Sequence, residues 1–176
     1  MLKGEGCSDL RELCTVLASV MYASCEGIEI EKAREAVTRV ISDGSALKKL
    51  REMVVYQGGD PSVIDNPDNF EKSKYIYEVK SPVDGFITKT DTEKIGLASV
   101  VLGAGREKKG DPIDYKAGIV LSKKTGASVR TGDVIATLHT DLKDKIPEAK
   151  TMILSALTFG DKEPPKEKLI YEIVGG

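Results

Sequence analysis

The chain has 176 residues, 40% of them hydrophobic, with 26 lysines and arginines against 28 aspartates and glutamates and a formal net charge of −2. This near balance of charge argues against a general nucleic-acid-binding protein, whose affinity would depend on clustered positive charge. No apolar run approaches the about 18 residues of a membrane span, and residues 1–6 carry no signal-peptide core. We therefore expect a cytoplasmic protein with neither nucleic acid nor membrane as a partner.

The cysteine and histidine content predicts no metal centre. Cys7, Cys14 and Cys25 form no closely spaced pair, whereas a structural zinc site usually takes four Cys or His ligands. Cys14 and Cys25 lie about 16 Å apart on one predicted helix, which is too far for a disulfide. We predict three reduced thiols, no metal and no cofactor.

The first part of the chain has helical periodicity. The first predicted helix, capped by Ser8 or Asp9, carries an apolar stripe on one face. The second begins near Ile30 and stops at Gly44, and the third starts near Ser45 and ends at residues 57–59. The stripe of the first helix comprises Leu10, Leu13, Cys14, Leu17, Val20, Met21 and Ser24. These helices form a layer that must pack against a surface, which this chain need not contain.

After a loop over residues 60–73, the pattern changes to strands interleaved with two helices. Residues 75–79 form a strand, residues 81–85 a turn and residues 86–88 the returning strand. A short helix over residues 92–102 is capped by Asp91 or Thr92 and ends before Gly103, and a second is opened by Pro147 and ends near residue 160. Apolar runs predict buried strands at residues 118–121 and 134–138 and a last strand at residues 169–173. The predicted fold class is therefore α+β.

The segment Gly103, Ala104, Gly105, Arg106 is the most suggestive local motif for chemistry. Glycines let backbone N–H groups approach an anion, and arginine supplies a bidentate charge. A phosphate cradle, however, normally precedes a helix, and these glycines follow one. The motif is therefore either a helix end with a mobile loop or a loop that faces substrate.

The remaining candidates have simpler structural interpretations. Residues 57–61 (Gln-Gly-Gly-Asp-Pro) fit a helix stop followed by a turn better than a phosphate site. His139 ends a strand without an evident catalytic partner, so we predict a structural histidine.

Two segments, residues 81–87 and 126–135, look like the turn patterns of barrel-sandwich folds such as biotinyl and lipoyl domains. A carrier lysine would lie at the tip of a central hairpin. Lys143 and Lys145 instead lie between a strand and the predicted helix at Pro147, which disfavours a carrier function.

Taken in order, five motifs resemble those of pyrimidine-nucleoside phosphorylases, including thymidine phosphorylases. They lie at residues 2–10, 57–61, 96–106, 118–126 and 131–139, and the resemblance covers essentially the whole chain. It implies that residues 1–65 are a three-helix remnant of the family's α/β catalytic domain. It also implies that residues 66–176 are its C-terminal α/β-hammerhead domain, related to barrel-sandwich hybrids.

The resemblance implies reversible phosphorolysis, in which phosphate is the co-substrate and displaces uracil or thymine from the pentose of a pyrimidine nucleoside. The family's phosphate loop, of the Lys-His-Ser-Thr-Gly-Gly type, and its base-binding residues lie upstream of the matching region. This sequence contains no Ser-Thr-Gly-Gly run, so no catalytic residue is carried over. We expect a chain that is inactive alone and whose partner is the N-terminal portion of the phosphorylase, where that is encoded or expressed separately.

The resemblance does imply one functional feature for this chain, a loop that becomes ordered when the domains close over substrate. It corresponds to residues 103–111, with Gly103, Gly105 and Arg106 as its key residues and Arg106 supporting closure. The alternative functions are a free-standing adaptor domain with the hammerhead fold and, less favoured, a biotinyl- or lipoyl-like carrier.

Overall fold

Residues 1–174 are described by a computed structural model, in which they form two units. One unit comprises Met1–Phe70 together with the segment from Glu167 onward, and the other comprises Glu71–Lys166. Helices alone make up the regular structure of the first unit, whereas the second contains all the described strands. This mixture of helix and sheet is compatible with the predicted α+β class.

The first unit contains three main helices within one or two residues of their predicted positions. They are α1 (Ser8–Glu26), α2 (Ile30–Ser42) and α3 (Ser45–Tyr56). A short helix α4 (Ser62–Asp65) and a 3-10 turn (Pro67–Asn69) occupy the region predicted as loop. The predicted cap of α1 was wrong: the helix starts one residue earlier, so Cys7 takes the N-cap position, and the Ser8 hydroxyl lies 3.3 Å from Asp9 Oδ1.

Within residues 1–174, α1 does not bury its predicted apolar stripe against α2. Its buried side chains are Thr15, Val16, Ser19 and Ala23, and α1 packs against α2. At about 100° of rotation per residue, these four positions lie on the side of the helix opposite to the predicted apolar stripe. Of the stripe, Leu10, Leu17 and Met21 are exposed. The helical periodicity is confirmed, and the expectation that the stripe packs against a surface outside this chain stays a prediction.

Among the helices within residues 1–174, none is by itself long and apolar enough to cross a membrane. Taken together, α1 and α2, bent by 119°, pass the same test by length and composition only.

The second unit contains two antiparallel three-stranded sheets. The strands are β1 (Tyr75–Lys80), β2 (Gly85–Thr90), β3 (Gly118–Leu121), β4 (Ser128–Val129), β5 (Val134–Thr140) and β6 (Leu157–Gly160). One sheet has the order β1-β5-β3, with Leu138 of the central strand opposite Tyr77 and Ile119. The other has the order β4-β2-β6, with Phe86 of the central strand opposite Ser128 and Gly160. Each sheet therefore joins strands that are distant in the sequence.

Two helices and both sheets share one apolar core. The helices are α5 (Thr92–Ser99), which continues into a π-helical turn (Val100–Ala104), and α6 (Ile146–Ala156), which follows a 3-10 turn (Lys143–Lys145). Asp91 caps α5, as predicted, since its Oδ1 accepts a hydrogen bond from Lys94 N at 3.1 Å. The largest fully buried apolar side chains are Ile87, Leu102, Ile135, Leu138, Ile153, Val79 and Val129. Burial of each of the larger ones contributes roughly 1.5–3 kcal/mol.

The predicted hairpin between β1 and β2 was wrong, because the two strands belong to different sheets. Ser81 N donates to Asp133 O at 2.8 Å and Gly132 N donates to Ser81 O at 2.9 Å. Residues 81–84 are thus tied to the turn before β5, and the chain leaves one sheet there and enters the other. A turn motif alone does not distinguish these two courses.

Three further predictions were wrong at the level of strands. The helix opened by Pro147 ends at Ala156, and the next four residues form β6 because they pair with β2. β3 was expected to be buried, but it is an edge strand with Val120 and Leu121 exposed. Residues 169–173 form no strand, although their apolar pattern suits one. A strand-like sequence pattern shows only that a segment would suit a half-buried sheet. The segment becomes a strand only where a partner strand is available to pair with it.

Candidate functional site

The predicted loop at residues 103–111 leaves the core at a sharp backbone turn. Leu102 is fully buried, and Gly103 follows it with φ 101° and ψ 0°, a conformation that favours glycine. The Gly103 carbonyl accepts a hydrogen bond from Asp114 N at 2.9 Å. A Cβ on Gly105 would lie 2.7 Å from Cγ2 of Val100, so this position also lacks space for a larger residue. Both glycines shape the base of the loop.

The tip of this loop is exposed and bonded to itself. Arg106 Nε donates to the Asp111 carbonyl at 3.1 Å, and Lys108 N donates to Asp111 Oδ2 at 2.8 Å. Asp111 N in turn donates to Lys108 O at 3.1 Å. The segment follows the C-terminal end of a helical stretch, where the dipole disfavours an anion. The arrangement suits a small surface loop with a basic side chain rather than a phosphate cradle.

The base of the loop is anchored to the end of β5. Thr140 is fully buried, and its hydroxyl donates to the Leu102 carbonyl at 2.7 Å and accepts from Leu142 N at 2.9 Å. A Cβ placed on Gly103 would lie 3.7 Å from Leu142 Cδ1. The point where the loop emerges is thereby linked to the central strand of a sheet.

Next to this anchor, Asp141 joins three segments of the chain. Its Oδ1 accepts from Lys74 N at 2.7 Å and its Oδ2 from Lys116 Nζ at 3.0 Å. The hydrogen bond from the Lys74 backbone, followed by that from Lys116, lowers the pKa of the Asp141 carboxyl below its ordinary value of 3.8. The same contact with Asp141 raises the pKa of Lys116 above 10.5. Lys116 also accepts, through its carbonyl, a hydrogen bond from Ser73 Oγ at 2.7 Å.

Sequence reasoning missed this ion pair. Asp141 was visible only as a polar residue after His139 at the end of a predicted strand. Its partners Lys74 and Lys116 lie 67 and 25 residues away, and no local spacing connects them. An acidic residue directly after a buried strand was the available signal, but it did not identify a partner.

The glycines at residues 57–61 are explained by the end of α3. Gly58 N donates to Val55 O at 2.9 Å and Gly59 N donates to Val54 O at 2.8 Å, the pair of bonds that closes a Schellman cap. Asp60 then accepts from Ser62 N and Ser62 Oγ at 2.8 and 2.7 Å. The prediction of a helix stop and turn is confirmed, because these backbone groups are used within the fold.

The structure places the remaining candidate residues on β5, in the turn before α6 and on α1. His139 is a half-buried residue of β5, opposite Ile76 and Gly118 in the two neighbouring strands. Lys143 and Lys145 lie in the 3-10 turn before α6 rather than at a hairpin tip. Cys14 and Cys25 carry free thiols. Within residues 1–174, no three His, Cys, Asp or Glu side chains are placed to hold a metal ion.

Residues 81–87 and 126–135, the two segments that look like barrel-sandwich turn patterns, lie side by side. Gly85 and Phe86 of β2 pair with Val129 and Ser128 of β4. Asp84 Oδ1 accepts from Thr131 N at 2.6 Å and from Thr131 Oγ1 at 2.8 Å. These bonds lower the pKa of Asp84, the backbone bond having the largest effect. The two segments are therefore joined by strand pairing and by side-chain hydrogen bonds.

Comparison with known proteins gives a family match. Residues 86–160 match the family described as the pyrimidine nucleoside phosphorylase C-terminal domain. The chain is 42% identical over 175 residues to a pyrimidine-nucleoside phosphorylase of Staphylococcus epidermidis and 34% identical over 172 residues to one of Geobacillus stearothermophilus. These matches cover 98% and 97% of this chain but only 40% of each relative. The motif order, the match to the C-terminal domain and these relatives together show that the chain belongs to the pyrimidine-nucleoside phosphorylase family.

Proposed function

We propose that this chain is the C-terminal part of a cytoplasmic phosphorylase that cleaves uridine or thymidine with phosphate, giving the free base and a pentose-1-phosphate. The observation that carries the proposal is the match of 98% of the chain to a pyrimidine-nucleoside phosphorylase of which it spans 40%. The chain supplies part of the enzyme and requires the N-terminal portion for catalysis. Phosphate is the co-substrate, and the reaction uses no further cofactor.

The inactivity of the isolated chain follows from what phosphorolysis requires. The reaction needs an anion cradle for phosphate and donors that stabilise the departing base as charge develops on it. The glycine-rich segments that resembled a cradle are used otherwise: Gly58 and Gly59 close a helix, and Arg106 bonds to the Asp111 carbonyl. These contacts support a structural role for both segments.

The proposed architecture assigns residues 66–176 to the family's hammerhead domain and residues 1–65 to a remnant of its α/β domain. Two sheets around one core support the first assignment, as do the bonds between Asp84 and Thr131 that join the two barrel-sandwich-like segments.

The loop over residues 103–111 is proposed to order as the complete enzyme closes over its substrates. The structure of the loop supports this role. The residue before Gly103, Leu102, accepts a hydrogen bond from the buried Thr140, while the tip of the loop from Arg106 onward is exposed. A rigid base and a solvated tip let a loop change conformation without disturbing the core. Arg106 stabilises the closed loop rather than the reacting atoms.

The test combines the purified chain with the part of the Staphylococcus epidermidis relative that lies outside the match. We expect no base release by the chain alone and phosphate-dependent release of uracil or thymine by the mixture. In the mixture, Arg106→Ala lowers kcat/KM roughly tenfold, since it weakens closure. Arg130→Ala, which alters an exposed arginine between β4 and β5, leaves it unchanged.

Two results would contradict these statements. Phosphorolysis that scales with the chain alone would refute its inactivity. Unchanged turnover and substrate affinity in the Arg106→Ala mixture would refute the closure role.

A further inference from the structure

The helical unit exposes an apolar stripe on α1, here called the α1 stripe, formed by Leu10, Leu17 and Met21. Their exposed fractions are 52%, 54% and 70%. The residues recur after seven and four positions, so they lie on one line along about 16 Å of helix. A row of large apolar side chains at this spacing is typical of a helix that packs against another surface.

The opposite face of α1 packs against α2 with small and polar side chains. Val16 and Ala23 are its buried apolar side chains, and the buried Ser19 hydroxyl donates to Thr15 O at 2.6 Å within the helix. The larger apolar side chains are therefore the ones left in solvent, the reverse of the arrangement that the hydrophobic effect favours in a helix with all its partners present.

A surface ion pair between α1 and α2 accompanies this orientation of α1. Arg34 Nη2 of α2 donates to Glu12 Oε1 at 2.9 Å and to Oε2 at 3.2 Å. At about 100° of rotation per residue, Glu12 lies on the face that packs on α2 and opposite to the α1 stripe. Rolling α1 to hide the stripe against α2 would separate these charges. The ion pair is therefore one contact that would be lost if the stripe turned toward α2.

We propose that the α1 stripe is the docking surface for the N-terminal portion of a pyrimidine-nucleoside phosphorylase. The inference rests on the function proposed above. Three fifths of each matched relative has no counterpart in this chain, although 98% of the chain matches the Staphylococcus epidermidis relative. The part of the relative outside the match is therefore large enough to cover the stripe. Burying Leu17 and Met21 beneath it removes the exposed apolar surface that the unit cannot bury itself.

Binding is measured by sedimentation velocity and calorimetry between the purified chain and the N-terminal three fifths of the Staphylococcus epidermidis relative. We expect the wild-type chain to bind and the double variant Leu17→Glu, Met21→Glu to bind at least about tenfold more weakly. The matched control is Leu97→Glu, which alters a leucine that is 52% exposed on α5 of the other unit. It is expected to bind as the wild type does.

Circular dichroism separates docking from folding. Because the substituted side chains are exposed, the double variant alone should melt at the wild-type temperature. A lower melting temperature would mean that the stripe is packed within the chain, and it would overturn the proposal. Equal loss of binding by Leu97→Glu would also overturn it.

Other occupants of the stripe give different results. A wild-type chain that sediments as a dimer, with a monomeric double variant and no binding to the N-terminal portion, would assign the stripe to a second copy. Flotation of the wild type, but not of the variant, with phosphatidylcholine vesicles would assign it to a membrane. Either result overturns the proposal.

Phosphorolysis in the same mixture distinguishes this inference from the proposed function. Binding through the stripe without base release would refute the function and leave the docking surface standing. Base release with equal binding of wild type and double variant would refute the docking surface alone. If the wild type does not bind, docking is refuted, and a single-chain fusion of the two portions then tests the activity separately.

Discussion

Asp141 shows how one carboxylate can secure the end of a strand. It accepts hydrogen bonds from Lys74 N and Lys116 Nζ, and its side chain is 19% exposed. The contact matters because Thr140, the preceding residue, holds the base of the loop over residues 103–111. The Asp141 side chain therefore links the end of β5 to the segments that precede β1 and β3.

This contact predicts a pH dependence of stability. Since the pKa of Asp141 is lowered in the folded chain, its contribution is present above 3.8 and is lost as pH falls through the folded pKa. The raised pKa of Lys116 gives a contribution that is present below 10.5 and lost as pH rises through the folded pKa. Asp141→Asn should therefore lower the urea midpoint at pH 7. It should also weaken the fall of the midpoint at acid pH and at alkaline pH.

The measurement is the urea midpoint at a series of pH values, read by circular dichroism. Asp144→Asn, which removes an exposed carboxylate from the following turn, is the control. Superimposed profiles for wild type and Asp141→Asn would show that the contact contributes nothing to folding.

At the scale of elements, the junction between β2 and β6 depends on one glycine. Gly85 has φ 139°, and a Cβ there would lie 2.6 Å from the Gly160 carbonyl oxygen of β6. A backbone atom cannot move aside as the end of a flexible side chain can. A methyl group at residue 85 must therefore displace β6 from its pairing with β2. This explains why the chain can enter the second sheet at this residue.

We expect Gly85→Ala to lower the free energy of unfolding by roughly 2–3 kcal/mol. Gly118→Ala is the matched control, since Gly118 lies in a strand, has no positive φ and would place its Cβ in open space. Urea denaturation of both variants measures the difference. Equal midpoints for the two variants would contradict the role assigned to Gly85.

At the scale of the whole molecule, the two units differ in how much apolar surface they bury. The main apolar cluster lies entirely between Val79 and Leu157. In the described part of the helical unit, the buried apolar residues are Val16, Ala23 and Ala33. Three small side chains contribute far less than the cluster, so the units should differ in stability.

Residues 71–166 expressed alone should therefore unfold cooperatively, with a melting temperature within a few degrees of that unit in the full chain. Amides of α1–α3 should exchange with deuterium faster than those of β5. Thermal circular dichroism and hydrogen exchange measure these quantities. A fragment without a cooperative transition would show that the helical unit is required for the second unit to fold.

The sequence contained enough information for the local elements and for the family. Helical periodicity placed α1, α2 and α3, the cap at Asp91 was visible, and β1 and β5 were found from their apolar patterns. Motif order indicated the phosphorylase family before any partner of a strand was known. These features depend on residues close together in the chain, where spacing and propensity act directly.

The tertiary structure decided which surfaces meet. It separated β1 and β2 into different sheets, formed β6 where a helix was expected, and covered the small-residue face of α1. It also brought Asp141 to Lys74 and Lys116. Local periodicity shows that a face is apolar or that a segment suits a strand, but only contacts between distant residues select the partner, because their free energies depend on the packed structure.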